Sequence, residues 1–232
     1  MDIGNNIIEL IENPINLFRN QNSCDDKCSL IIEDVLDYLK TSKEEDDFIL
    51  AVIDLRKYKS FDEFFEKRID SKRRNQYRKA LKEGYYTRIM YVEERNNRRE
   101  ELFSINTSTT ERQGKMSDEY FKYPDEVYEY KCEYHFHKTY GVFTPEHKWI
   151  GYIYPRFCGE IVRTFRILGH AEYLGSINFM LLLVFNFIKD LYSNYPNINY
   201  YMYHVMNSGN KGLQEWKKRS GFDATRFVGN II

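Results

Sequence analysis

The 232-residue sequence has no apolar run near the roughly 20 residues that a helix needs to cross a bilayer. Its longest, inside Ile177 to Ile188, reads as a buried helix, so no membrane span is expected. The first residues, MDIGNNIIELIENPINLF, lack the basic stretch and clean apolar core of a secretory signal. Cysteine is scarce. Cys24, Cys28, Cys132 and Cys158 are too few for a disulfide framework and fit a reducing compartment, so free thiols and a cytoplasmic address are expected. Charge of one sign is not in excess either: 34 Lys and Arg face 35 Asp and Glu, for a formal net charge of −1, and no RNA- or DNA-binding motif is visible.

What remains is an ordinary globular composition, 42% hydrophobic and 30% charged, long enough for one sizeable core. Twenty Tyr and sixteen Phe, with abundant Asn, Lys and Ile, suit an AT-rich genome, a virus or phage among them. Residues 1–47 hold twelve acidic and four basic residues, and Ile31, Ile32, Val35, Leu36 and Leu39 recur at helical spacing. They are expected to form an acidic helical segment ahead of the main domain, residues 48–232.

Within that domain FILAVIDL, Phe48 to Leu55, reads as a buried strand. Asp62 to Glu83 reads as one helix with Ser60 as N-cap and Gly84 as its stop. Its stretch Lys67 to Lys82 carries eight basic residues and one acid, Asp70. Tyr85 to Val92 reads as a strand and Glu93 to Asn106 as a helix, followed by a polar loop, Thr107 to Ser117. Lys131 to Thr139, Trp149 to Tyr154 and Glu160 to Leu168 read as strands separated by Gly141, Pro145, Pro155 and Gly159. Gly175 and Ser176 open the apolar helix, and strand Ile198 to Met206, helix Gly209 to Arg219 and strand Ala224 to Ile231 complete the chain. The fold class is mixed α/β.

The segment NKGLQEWKKRSGF, Asn210 to Phe222, resembles the Asn-x-x-Ala-x-x-Leu-Tyr-x-x-x-Gly-Phe pattern of the GNAT acyltransferase superfamily. Asn210, Gly221 and Phe222 keep its spacing, and Lys217 stands where a tyrosine proton donor is often invoked. RILGHA, Arg166 to Ala171, resembles the superfamily's Gln/Arg-x-x-Gly-x-Gly/Ala loop, and the middle of the chain resembles its FemAB-like branch. The resemblance implies a mixed central sheet with two splayed strands, flanked by helices. It also implies acetyl-CoA or another acyl-CoA as donor and an amine, in a small molecule or peptide, as acceptor. Arg166, Leu168, Gly169, His170, Ala171, Gly175, Ser176 and Asn210 would then hold the donor. A loop of this kind serves a pyrophosphate because successive amides at a helix N-terminus attract negative charge.

Proton transfer needs an imidazole, carboxylate or phenol near the splay, which singles out His204, His170, Glu160 and Tyr203. Asn106, Ser108, Arg112, Gln113 and Tyr120 form a polar loop cluster suited to substrate contacts, with Arg112 able to clamp a carboxylate or phosphate. No metal is expected. A strand through Cys132, His135 and His137 would put the cysteine on the opposite face from both histidines, and Cys24 and Cys28 have no histidine near them in sequence. Two rivals remain. One is a nucleic-acid partner on Lys67 to Lys82, as aminoacyl-tRNA donor or modified base; the other is a non-catalytic module of the same fold.

Overall fold

The computed structural model describes residues 8–17, 24, 26–112, 114–130, 132–175 and 178–232. Its frame is a mixed sheet of nine strands: β1 (Glu9–Ile11), β2 (Leu50–Asp54), β3 (Tyr86–Met90), β4 (His135–His137), β5 (Thr139–Phe143), β6 (Trp149–Cys158), β7 (Ile161–Gly169), β8 (Tyr200–Val205) and β9 (Asp223–Phe227). The order across it is β1-β9-β2-β8-β7-β6-β5-β3, with β4 on β6 beside β5. β1 with β9 and β7 with β8 are parallel, and the other pairs are antiparallel.

Among the described residues, seven helices cover the sheet. α1 (Asp26–Glu44) and α5 (Arg99–Thr107) lie on one face, with the short α4 (Val92–Asn97) leading into α5. α2 (Phe61–Arg68), α3 (Ser71–Lys82), α6 (Phe179–Asn194) and α7 (Lys211–Arg219) lie on the other. α6 is apolar nearly all round because it is covered nearly all round. One side meets the sheet through Phe187 against Tyr140, Phe157 and Tyr201, and the other meets Phe65 and Tyr77 of α2 and α3. Its one interior amide, Asn186, is satisfied at both ends, accepting from Tyr77 and donating to Thr87.

The helix expected over 62–83 is two helices. Ser60 caps the first as expected, but Ile69 turns into the core and Asp70 restarts the chain by accepting from the Arg73 amide. The helix expected over 93–106 breaks likewise at Arg98. Gly141 lies inside β5 rather than in a turn, paired with Arg88 and Tyr152, and a Cβ there would meet the Phe143 ring at 2.7 Å. Pro155 lies inside β6, opposite a register shift in β7 where its missing N–H breaks no regular ladder. Residues 9–11, read as part of a helical segment, are a strand on the sheet edge.

β7 and β8 pair over three residues, Ile161 to Arg163 against Tyr200 to Met202. Beyond Arg163, β7 follows β6 to Gly169 through a bulge at Phe165, while β8 follows β2 to Val205. A bulge bends and twists its strand, which carries β7 off its parallel neighbour. The closed end is held from the α1 side. Asp34 pairs with Arg156 and with Arg163, whose side chain is 5% exposed and stacks on Tyr38. Removing one partner of a buried ion pair strands the other charge. Asp34→Ala should therefore lower the unfolding free energy by about 3 kcal/mol in a denaturant titration. A loss under about 0.5 kcal/mol would mean that the pair is solvated and does not brace the closed end.

Candidate functional site

The gap between the parting strands opens into a cavity of about 540 Å³. Ile167, Leu168 and Gly169 of β7 form one wall, Tyr203 of β8 faces them, and Gly212, Leu213 and Trp216 of α7 close the side. Arg112 and Met180 complete the rim. Glycine at 169 is a packing requirement, since a Cβ would meet the Phe179 ring at 2.6 Å and the Met180 sulfur at 2.7 Å. On the opposite sheet face, a second cavity of about 280 Å³ is bounded by Asn106, Tyr152, Phe165 and Arg166. The two cavities therefore flank the same stretch of β7.

Of the residues singled out for proton transfer, Tyr203 reaches the larger cavity. It packs against Trp216 and Phe222, and its hydroxyl has no hydrogen-bond partner among the described residues. Burial raises its pKa, with a smaller push from Tyr120, so it stays protonated at neutral pH. His204 is one residue on and faces the other way, as strand alternation requires. Its ring meets Tyr38 at 2.9 Å and Ser208 at 3.3 Å. Glu160 lies at the closed end, accepting from the Asn16 amide and the Asn199 side chain. His170 caps the turn after β7 through the Glu172 amide, and its other nitrogen lies 3.4 Å from Ser104. The structure does not bring these three together. Glu111, passed over in the sequence because no motif marks it, is the one carboxylate lining the larger cavity among the described residues.

The expected donor loop needs correction. The amides of residues 170–174 are already engaged: His170 donates to Ile150, Ala171 to the Ser108 hydroxyl, Glu172 to His170, and Tyr173 and Leu174 to carbonyls of their own turn. Asn178 caps α6 by accepting from the Leu181 amide. Ser176 lies outside the described residues, as does Gln113. Leu168, Gly169 and Ala171 line the cavity by their shape, Gly175 follows at positive φ, and Arg166 turns to the second cavity over Tyr120. Asn210 caps α7, whose first turn borders the cavity.

The loop cluster divides between the two cavities. Asn106, buried, accepts from Tyr152 in the second, and Ser108 holds the Ala171 amide. Arg112 donates to Ser108 and to the Gly169 carbonyl, meets no carboxylate among the described residues, and keeps its Nε buried without a partner. Lys217, at the position where the resemblance expected tyrosine, is fully buried. Its ammonium donates to the Val205 and Ser208 carbonyls at 2.6 and 3.1 Å, and burial pushes its pKa down to about 8. It fastens α7 to the end of β8.

Strand alternation does not separate the cysteines from the histidine as expected. Cys132 precedes β4 rather than lying in it, and α1 brings Cys24 and Cys28 to Cys132 and His135. His137 stays apart, bonded to Tyr154.

Burial and the neighbouring Arg163 and Lys217 lower the His204 pKa from 6.5 to about 4. The unfolded chain therefore binds this proton first, and stability present above pH 6.5 is lost as pH falls towards 4. His204→Asn should lose less stability than the parent over that interval in acid titrations of unfolding. Parallel curves would show that the imidazole stays solvated.

No family model and no curated protein matches the sequence. Among solved structures, FemX aligns with a TM-score of 0.52 at 11% identity, over 78% of this chain and 60% of FemX. L-PGS from Bacillus licheniformis aligns at 0.45 and 13% identity, over 76% and 57% of the two chains. A GCN5-related N-acetyltransferase from Kribbella flavida aligns at 0.40 and 6% identity, over 61% and 47%. The chain thus spans less than two thirds of the length of each of these structures. The mixed sheet with its parting parallel strands, its helices on both faces and its alignment with FemX place the chain in the GNAT-like, FemAB-like fold.

Proposed function

We propose that the chain is an acyltransferase that moves an acyl group, acetyl in the first instance, from acyl-CoA to an amine. The observation that carries this reading is the divergence of β7 and β8 into a cavity walled by Tyr203 and rimmed by Arg112. Where the strands part, β7 has backbone groups that β8 no longer pairs, and an extended amide-bearing arm can use them. Arg112 supplies a cation for a phosphate, and the first turn of α7 adds the positive end of its dipole. The acceptor would come from the second cavity, on the far side of β7, past Arg166 and Tyr120.

The chemistry is direct transfer. The amine lone pair attacks the thioester carbonyl, a C–N bond forms, the C–S bond breaks, and the sulfur leaves with the electron pair. Tyr203, protonated, donates a hydrogen bond to that sulfur as charge builds, a contribution made mainly in the transition state. The amine proton passes to water or to Glu111.

Acetyl-CoA should raise the melting temperature of the chain, and no shift at millimolar ligand would sink the donor assignment. Tyr203→Phe should keep that shift while lowering kcat by about 100-fold with little change in KM. An unchanged kcat would remove Tyr203 from the chemistry, and binding without turnover of any amine would favour a non-catalytic module.

A second reading replaces acyl-CoA by a donor or acceptor carried on nucleic acid. Lys67, Arg68, Arg74, Arg78 and Lys79 each meet a carboxylate, on neighbours rather than on the acidic first segment. Lys72, Arg73 and Lys82 meet none among the described residues and would be its phosphate contacts. Replacing these three by Glu should weaken polynucleotide binding and flatten its salt dependence. Unchanged retention on an anionic column rejects this reading.

A further inference from the structure

We infer that Cys24, Cys28, Cys132 and His135 form a structural zinc site that fastens the start of α1 to β4. Their four ligand atoms all lie within 4.8 Å of one another. The Cys24 sulfur is 3.9 Å from that of Cys132 and 3.2 Å from the His135 Nδ1, and the Cys132 sulfur is 3.4 Å from the same nitrogen. A tetrahedral zinc with Zn–S near 2.3 Å and Zn–N near 2.0 Å needs sulfur-to-sulfur distances of about 3.8 Å and sulfur-to-nitrogen distances of about 3.5 Å. The three pairs among Cys24, Cys132 and His135 have the spacing of a metal's ligands, and the Cys28 sulfur lies within 4.8 Å of each.

The histidine is set for the task. Its Nε2 lies 2.7 Å from the Leu17 carbonyl, which can only accept, so Nε2 carries the proton and Nδ1 of the neutral ring presents its lone pair to the sulfurs. A metal-bound histidine is typically oriented by such a carbonyl. Cys24 and Cys132 both approach that lone pair within 3.4 Å, and their sulfurs approach each other at 3.9 Å. One cation at the common centre would be within reach of all four ligand atoms. His135, Cys28 and Cys132 are buried, as a water-excluding structural site requires.

Three soft sulfurs and one imidazole in a compact, closed set select zinc over calcium or magnesium, and four protein ligands leave no open position for catalysis. The Cys-x3-Cys and Cys-x2-His spacings fall in the usual range for ligand pairs on one turn. On binding, the three thiols lose their protons to solvent and become thiolates; no electron is transferred. The inference does not depend on the proposed acyl transfer.

The full chain, expressed in zinc-supplemented medium and purified reduced without chelator, should carry about one zinc by elemental analysis. Cobalt(II) in its place should give intense tetrahedral ligand-field bands and thiolate charge transfer. Removing zinc with a strong chelator should lower the melting temperature and open Cys24, Cys28 and Cys132 to alkylation, mapped by mass spectrometry. Cys132→Ser and His135→Asn should lose the metal, while His147→Ala should keep it. Because the first two could fail to fold, the parent chain decides. Under about 0.1 equivalents of zinc with no tetrahedral cobalt spectrum would overturn the site. So would iron as the bound metal, or a Cys24–Cys132 disulfide in the reduced, zinc-supplied protein.

Discussion

The parallel pairing of β7 with β8 ends after three residues, and the candidate site follows from that stop. Each strand has a second neighbour that it follows further, so the sheet tears along one line without either strand losing its place. Asp34 and Arg163 hold the tear's closed end from one face, and Thr164 meets the Tyr201 hydroxyl at 2.9 Å inside it. α6 fills the opposite face under it, and its near-uniform apolarity is what allows it to lie between the sheet and two more helices.

Much of this was legible in the sequence because local signals and burial agree. Ser60 and Gly84 punctuate helices where turn chemistry places them, and the apolar runs become β2 and α6. The failures come where tertiary contacts decide. A helical pattern spans Ile69 and Asp70, yet Ile69 gains more from the core than from continuing the helix. Gly141 and Pro155 read as breakers, but both lie inside strands, Gly141 beneath the Phe143 ring of its own strand and Pro155 opposite a bulge in β7.

The site divides in the same way. Tyr203, Leu168, Gly169 and Arg112 reach the cavity because strand position and loop placement are short-range properties. His204 does not, because alternation along β8 turns neighbouring side chains to opposite faces and the sequence alone does not say which face is the cleft. The cysteines failed for a different reason: Cys24 and Cys132 stand 108 residues apart, and only the docking of α1 against β4 joins two unremarkable pairs into one set. Spacing reads ligands within a turn and is silent about ligands across a sheet.

Arg112 grips the Gly169 carbonyl from the loop that follows α5, and Asn106, in the last turn of α5, borders the other cavity. The short passage of chain between those two residues is therefore a common wall, with one side turned to each chamber. A substitution that shifts that wall would therefore reshape both chambers at once.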